Sequence, residues 1–383
     1  MKYTYKLKIK VISPIYIGSG DVCSRCDYIN IPEEKKIYLL DKKKWIDFLV
    51  KSKLYDSFIS NITQYGSNLD IYRWLKFNYR FINEKKLPEF ISSMSEVIFD
   101  ITHINGFKNH NIYSFIKNAN REPYIPGSSI KGALVTALLS QILQNNTKKS
   151  IQYLNEIYSM LEESKISNKA NKINSNIIKN SFDYKANYDD VNIKGMSGIS
   201  ISDSEPFKKE NLKLYKKKDL IIVNGNIKSK KIDDRPVYRE CIDVGSETNF
   251  TLTIDTSKLK QDLEIKNIDS IMDALSLRIK LLFGDNGIIS AWGQSSNYLP
   301  DNIFDKGVLQ IGGGVGFHSK TLMSSICSSR EEANKLTGKI LDKIFKGKKH
   351  YLDKPISPRA LKLATVNNQD VFMGFCKIKE IKQ

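Results

Sequence analysis

A chain of 383 residues with 41% hydrophobic and 10% aromatic side chains can fill two ordinary domain cores, which excludes a disordered or low-complexity protein. Its 60 Lys and Arg against 42 Asp and Glu give a formal charge of +18, so the surface attracts polyanions. No apolar run reaches the ~18 residues of a membrane span, and five cysteines, an odd count, do not make a disulfide framework.

At the start of the chain Tyr3, Tyr5, Leu7, Ile9 and Val11 alternate with Thr4, Lys6, Lys8 and Lys10, the period of a strand with one buried face. This opening lacks the continuous apolar stretch of a secretion signal and, with the cysteine usage, points to a cytoplasmic protein. Ser13-Pro14 stops the ladder, and residues 17–21 (Ile-Gly-Ser-Gly-Asp) form a turn. A strand over 36–40 leads into a helical stretch with Trp45, Phe48 and Leu49, and residues 55–99 read as helical and aromatic. Ser128 or Ser129 then caps the clearest helix, whose Ile130, Ala133, Leu134, Ala137, Leu138 and Ile142 make a single apolar face.

Residues 145–181, rich in Asn, Lys and Ser, read as a peripheral insertion, and 199–203 as a strand. The lysine-rich stretch that follows, to residue 234, reads as a mobile loop or a hairpin that orders on binding. It sets a domain boundary between 205 and 206. Beyond it the pattern predicts strands over 250–254 and 307–311, an amphipathic helix over 269–283, and strands over 360–363 and 371–378. Strands separated by helices in each half give an α+β protein of two split-βαβ units, 1–205 and 206–383.

Two segments carry the chemistry: residues 124–134 (Tyr-Ile-Pro-Gly-Ser-Ser-Ile-Lys-Gly-Ala-Leu) and residues 309–321 (Leu-Gln-Ile-Gly-Gly-Gly-Val-Gly-Phe-His-Ser-Lys-Thr). Each sets glycines and small hydroxyl residues beside one lysine, so that backbone N–H groups and a cation can close on a phosphate. In the first, Lys131 sits in the first helical turn, where the macrodipole disfavours a cation unless an anion is shared. The second matches a nucleotide-binding P-loop except that Ser319 replaces the last glycine, and the 63 residues after Lys320 leave too little room for the rest of such a core. Both segments therefore read as grips on a nucleic-acid backbone. The positive charge is also clustered: residues 206–231 and 335–362 are each net +7.

The remaining candidates are weaker. Of four histidines, only His318 lies in a chemistry-bearing loop, where it is a candidate general acid or base. Asp21 and Asp27 follow the first strand and can cut RNA or simply form turns. Cys23 and Cys26 have knuckle spacing, but Cys241, Cys327 and Cys376 stand singly, so no metal or other cofactor is expected. Arg25, Arg235 and Arg239 are candidate phosphate contacts.

Residues 13–20, 125–134 and 311–321, with the ending 358–363 and Met373-Gly374, resemble the RAMP proteins of type III CRISPR effector complexes. In order and spacing they are most similar to the family of the fifth subunit of the type III-A Csm complex. The resemblance implies two ferredoxin-like (RRM-like) domains with helical insertions, and a non-catalytic subunit that caps the 3′ part of the guide RNA (crRNA) without reading bases. It implies as partners the neighbouring backbone RAMP subunit, the small helical subunit, the large polymerase-like subunit and guide-trimming nucleases. By position it makes RNA contacts of Gly18, Ser19, Gly127, Ser128, Ser129, Lys131, Gly312, Gly313, Gly314, Gly316, Ser319 and Lys320. Val135 stands where the family usually has an arginine, and Asp27 lies near the cleaving aspartate of the backbone subunit, which keeps an endoribonuclease using Asp27 or His318 as the alternative.

Overall fold

The computed structural model describes residues 1–78, 86–163, 166–185, 192–223, 226–229, 236–260, 263 and 265–381. The alternation at the start of the chain produces β1 (Lys2–Val11), which buries Leu7, Ile9 and Val11 and leaves its lysines in solvent. Strands β2 (Gly18–Cys23), β3 (Tyr28–Ile31) and β4 (Lys36–Leu40) follow, then helices α1 (Lys42–Lys51), α2 (Tyr55–Tyr65), α3 (Ile71–Asn78) and α4 (Leu87–Ser93). After β5 (Ser95–Asp100) and β6 (Ile112–Phe115) come α5 (Gly127–Asn145), α6 (Thr147–Leu161) and α7 (Ser167–Phe182). Short strands β7 (Tyr184–Lys185), β8 (Asn192–Ile193) and β9 (Ile199–Ile201) lead to β10 (Leu212–Val223), β11 (Asn226–Ser229), β12 (Tyr238–Ile242) and β13 (Glu247–Asp255). The chain continues through α8 (Ile268–Phe283), β14 (Val308–Gln310), α9 (Met323–Ile326) and α10 (Arg330–Ile344) to β15 (Leu361–Val366), β16 (Gln369–Phe372) and β17 (Phe375–Glu380).

A five-stranded sheet has the order β14-β17-β1-β13-β9, with every neighbouring pair antiparallel. Along the chain β1, α5, β9, β13, α8 and β17 run strand, helix, strand, strand, helix, strand. In space β17, β1, β13 and β9 lie as fourth, first, third and second, the order of a ferredoxin-like unit with β14 added at its edge. Helices α5 and α8 pack on each other and reach this sheet at β9 and β14. A larger sheet, β16-β15-β10-β12-β6-β2, carries β11 on β10, and its one parallel pair is β12 with β6. Each of these two sheets takes strands from both sides of residue 205. The α+β architecture is thus the one the pattern gave.

The main core runs between the two sheets and the helices. A second core, built on Trp45, Phe48, Phe58 and Trp74, fills the unit of β3–β4–β5 and α1–α4. Residues 145–181 are not peripheral: Tyr153 and Ile157 of α6 and Ile173 and Ile177 of α7 enter the main core, followed by Phe182 at the end of α7. Burying a side chain such as Phe182, 0% exposed, contributes about 2–3 kcal/mol, more than the weak local pattern suggests.

The stretch expected as a mobile loop or a hairpin ordered by binding holds β10, a central strand of the larger sheet, paired with β12, β15 and β11. Leu212, Leu214 and Leu220 point into the core, and the consecutive Lys216, Lys217 and Lys218 obscure their period in the sequence. The pairing of β10 with β11 is a hairpin; residues 230–235, including Arg235, lie outside the described residues.

Candidate nucleic-acid interface

Helix α5 begins at Gly127 with Pro126 as its N-cap, and no side chain of its own caps it. The expected caps, Ser128 and Ser129, lie inside the first turn. Instead Asp203, beyond β9, accepts the Gly127 N–H at 2.7 Å, so the carboxylate favoured at a helix N-terminus comes from the protein itself. Glycine is required at 127 because a Cβ would stand 2.5 Å from Ile201 O. Lys131 turns its ammonium onto two carbonyls, Met196 O at 2.9 Å and Ile199 O at 2.6 Å, and burial holds its pKa below the ordinary lysine value. It thereby ties the first turn of α5 to the start of β9. Ser128 remains exposed, and Val135 is half-buried against the main core.

The glycine loop after β14 packs on the connection between β1 and β2. Gly313 N–H donates to Tyr16 O at 2.6 Å, and a Cβ at Gly312, whose φ is +88°, would meet the same oxygen at 2.3 Å. The Arg239 guanidinium, from β12, lies 4.6 Å from the centre of the Tyr16 ring. A side chain at Gly314 would lie 2.3 Å from Arg239 Nη1. Three glycines are thus fixed by close packing, whereas Gly316, at φ +89°, has open space around it. Gly18 and Ser19 begin β2 on this same exposed edge, and Ser19 Oγ accepts the Asp21 N–H.

The end of the loop is held from below. Arg278 of α8 is fully buried and donates to His318 O at 2.8 Å and Thr321 O at 2.6 Å, and also to Ser324 Oγ and Ser140 Oγ. Burial pushes its pKa down to about 10. The cation that reaches α5 is therefore Arg278, through Ser140 and not from position 135. Ser319 Oγ is occupied by Gln310 Oε1 at 2.5 Å and Val315 O at 2.9 Å. Lys320 is exposed, and among the described residues no hydrogen bond or ion pair holds it. Ala133 and Thr136 of α5 line a cavity of about 20 Å³ with Gln310 and Ser319, so the structure brings the two glycine segments to one side of the molecule.

Two side chains that the sequence did not single out complete this surface. Lys217 and Lys362 belong to the two basic windows, and the pairing of β10 with β15 joins those windows on one sheet. Tyr16 was visible only as part of a turn-adjacent motif; its role as a platform under Arg239 depends on contacts between β12 and the β1–β2 connection.

The cleavage candidates are placed differently. Asp27 Oδ2 accepts both the N–H and the hydroxyl of Ser24 at 2.7 Å, the bonding of a turn-forming aspartate, and its Oδ1 lies 3.5 Å from Lys42. Burial, reinforced by Arg278, pushes His318 down to about 4, so its ring is neutral near pH 7 and 5% exposed. Asp21 is exposed on β2. Arg25 lies half-buried near Tyr28. All five cysteines are free, with Cys26 against Ser24 and Cys23 against Ser114, and no metal-binding cluster occurs among the described residues. No described helix is long and apolar enough to cross a membrane.

The sequence profile of the RAMP superfamily matches residues 8–317. This chain belongs to the RAMP superfamily. Curated relatives of the RAMP chain include a CRISPR system Cms protein Csm5 of Enterococcus italicus, 24% identical over 386 residues, covering 95% of this chain and 93% of that one. Another Csm5, from Streptococcus thermophilus, is 27% identical over 268 residues, 68% of this chain and 67% of its own. Among solved structures, a chain of a Csm–crRNA–target RNA ternary complex of a type III-A CRISPR-Cas system, seen by electron cryo-microscopy, aligns with a TM-score of 0.66 at 18% identity. That alignment covers 98% of this chain and 100% of the other. The crystal structure of T. onnurineus Csm5 aligns with a TM-score of 0.62 at 19% identity, over 97% and 99% of the two chains.

Proposed function

We propose that this chain is the fifth, RNA-binding subunit of a type III-A Csm effector complex, capping the 3′ part of its crRNA in antiviral defence and supporting guide maturation without cutting RNA. The single observation that carries this reading is the loop from Gly312 to Lys320: packed on Tyr16 and Arg239 at one end, held by Arg278 at the other, and open at Gly316 and Lys320 between. Pre-ordered backbone beside an unpaired lysine suits an RNA backbone and carries no base-reading groups. The likeness to Csm5 proteins supports the same complex, with the backbone RAMP subunit, the small helical subunit, the large polymerase-like subunit and trimming nucleases as partners and the cytoplasm as its place. The commitment of Asp27 to Ser24 and the burial of His318 support a binding role.

The test uses purified full-length chain and single-stranded RNA. Log affinity should fall linearly with log salt, as counterions leave the backbone. An absent or salt-independent affinity overturns the RNA reading. RNA cleavage that disappears in Asp27→Asn or His318→Ala overturns the non-cutting part alone.

A further inference from the structure

Because successive side chains alternate across a strand, Tyr215, Lys217 and Asp219 share the face of β10 that points away from Leu214 and Leu220 and so away from the main core. Arg239 of β12 stands opposite Tyr215, and Lys362 of β15 stands opposite Asp219, so three cations lie along two pleat repeats of that face. Asp219 is their carboxylate: it is 6% exposed, and its Oδ2 accepts from Lys217 at 2.9 Å while its Oδ1 has no hydrogen-bond partner. Among these four groups positive charge exceeds negative by two.

Two of the cations are short of solvent. Arg239 has Nε and Nη1 buried without an acceptor, even though its plane is fixed between Tyr16 and Gly314. Lys362 has its pKa lowered by burial, and Lys217 and Arg239 add to that effect against the pull of Asp219. Surplus positive charge in a half-buried place costs stability in the free chain, and a bound anion beside it offsets that cost. Lys213, on the same face, differs in being neutralised by Asp243 at 2.5 Å.

We propose that Arg239, Lys217 and Lys362 form a phosphate site at the half-buried margin of the Tyr215–Met373 cluster, on the face of the larger sheet turned away from the main core, taking one backbone phosphate of an RNA strand that continues from the glycine loop. The absence of a side chain at Gly314 brings the loop backbone against Arg239, so one strand can touch both. A guanidinium held over an aromatic ring keeps its charge at one fixed point for a phosphate, which a mobile lysine does not. The site rests on the RNA reading above but names contacts that reading does not need.

The experiment measures binding of a short labelled oligouridylate by the full chain across a salt series, with Arg239→Gln, Lys362→Met and, as the control, Lys213→Met. Each of the first two should lower the salt slope measurably, by up to the ~0.7 that one phosphate contributes, and Arg239→Gln should weaken binding about tenfold at fixed salt. Lys213→Met should leave the slope unchanged by comparison. Lys362→Met should also raise the melting temperature of the free chain, since it removes a desolvated charge, and this pairing of a stabler chain with weaker RNA binding keeps the test decisive if Arg239→Gln does not fold. Wild-type binding with unchanged slopes in both variants overturns the site and leaves the RNA reading standing; no binding by wild type overturns the RNA reading itself. Competition by polyglutamate as effective as by unlabelled oligouridylate assigns the cluster to an acidic protein and overturns the proposal.

Discussion

The helix start at Gly127 and the loop at Gly312 have nearly the same composition, yet the fold uses them in opposite ways. At Gly127 the free N–H meets Asp203 and the lysine meets two carbonyls, so both halves of an anion site are answered from within. In the glycine loop the inner residues are packed on Tyr16 and Arg239, while Gly316 and Lys320 stay open to solvent. Glycine, serine and lysine together therefore signal a close approach of backbone, and the neighbouring strand decides whether the thing approached is the protein or a ligand.

The comparison breaks most visibly at Arg278, which supports the open loop from below. Arg278→Ala strands the carbonyls of His318 and Thr321 in a buried place and should cost about 3–4 kcal/mol in denaturant unfolding. A loss below about 1 kcal/mol would mean that the loop end stands without it.

Next in size is the pH response of His318. Its free imidazole titrates near pH ~6.5, whereas the folded ring is pushed down to about 4, so the fold favours the neutral form. Stability from this group is complete above pH ~6.5 and is lost as pH falls toward about 4, on the order of 3 kcal/mol in all. Replacing His318 with Gln should flatten that part of the stability curve, and superimposable curves for variant and wild type would contradict it.

Lys131→Met keeps the alkyl stem but gives up two hydrogen bonds, and should cost about 1–3 kcal/mol with no change in the salt slope of RNA binding. A lowered slope would return Lys131 to the RNA surface. Lys320→Ala is the reverse case: stability within about 0.5 kcal/mol of wild type, with a slope reduced by about 0.7. A destabilised chain with an unchanged slope would place Lys320 with Lys131.

Much of this could be read from the chain alone where local pattern and burial agree. The alternation through Leu7, Ile9 and Val11 gave β1, and the residues at 124–134 and 309–321 marked the two segments where backbone comes close to something. Pattern failed where charge covered it. Lys216, Lys217 and Lys218 hid β10 because three consecutive lysines fall on both faces of the strand, two of them on the face of Leu212, Leu214 and Leu220, and so interrupt its alternation. Helices α6 and α7 read as peripheral because residues 145–181 are rich in Asn, Lys and Ser, while the apolar face of Tyr153, Ile157 and Met160 does not say what it packs against.

By itself the sequence determined the basic charge, the α+β class, the family resemblance and the two glycine segments, since each follows from composition or from short-range spacing. Only the tertiary structure decided that Asp203 caps α5, that Arg278 carries the loop, and that Lys217, Lys362 and Arg239 meet. These depend on strand register between residues far apart in the chain: the pairing of Asp219 with Lys362 spans the two basic windows, and no local period encodes it.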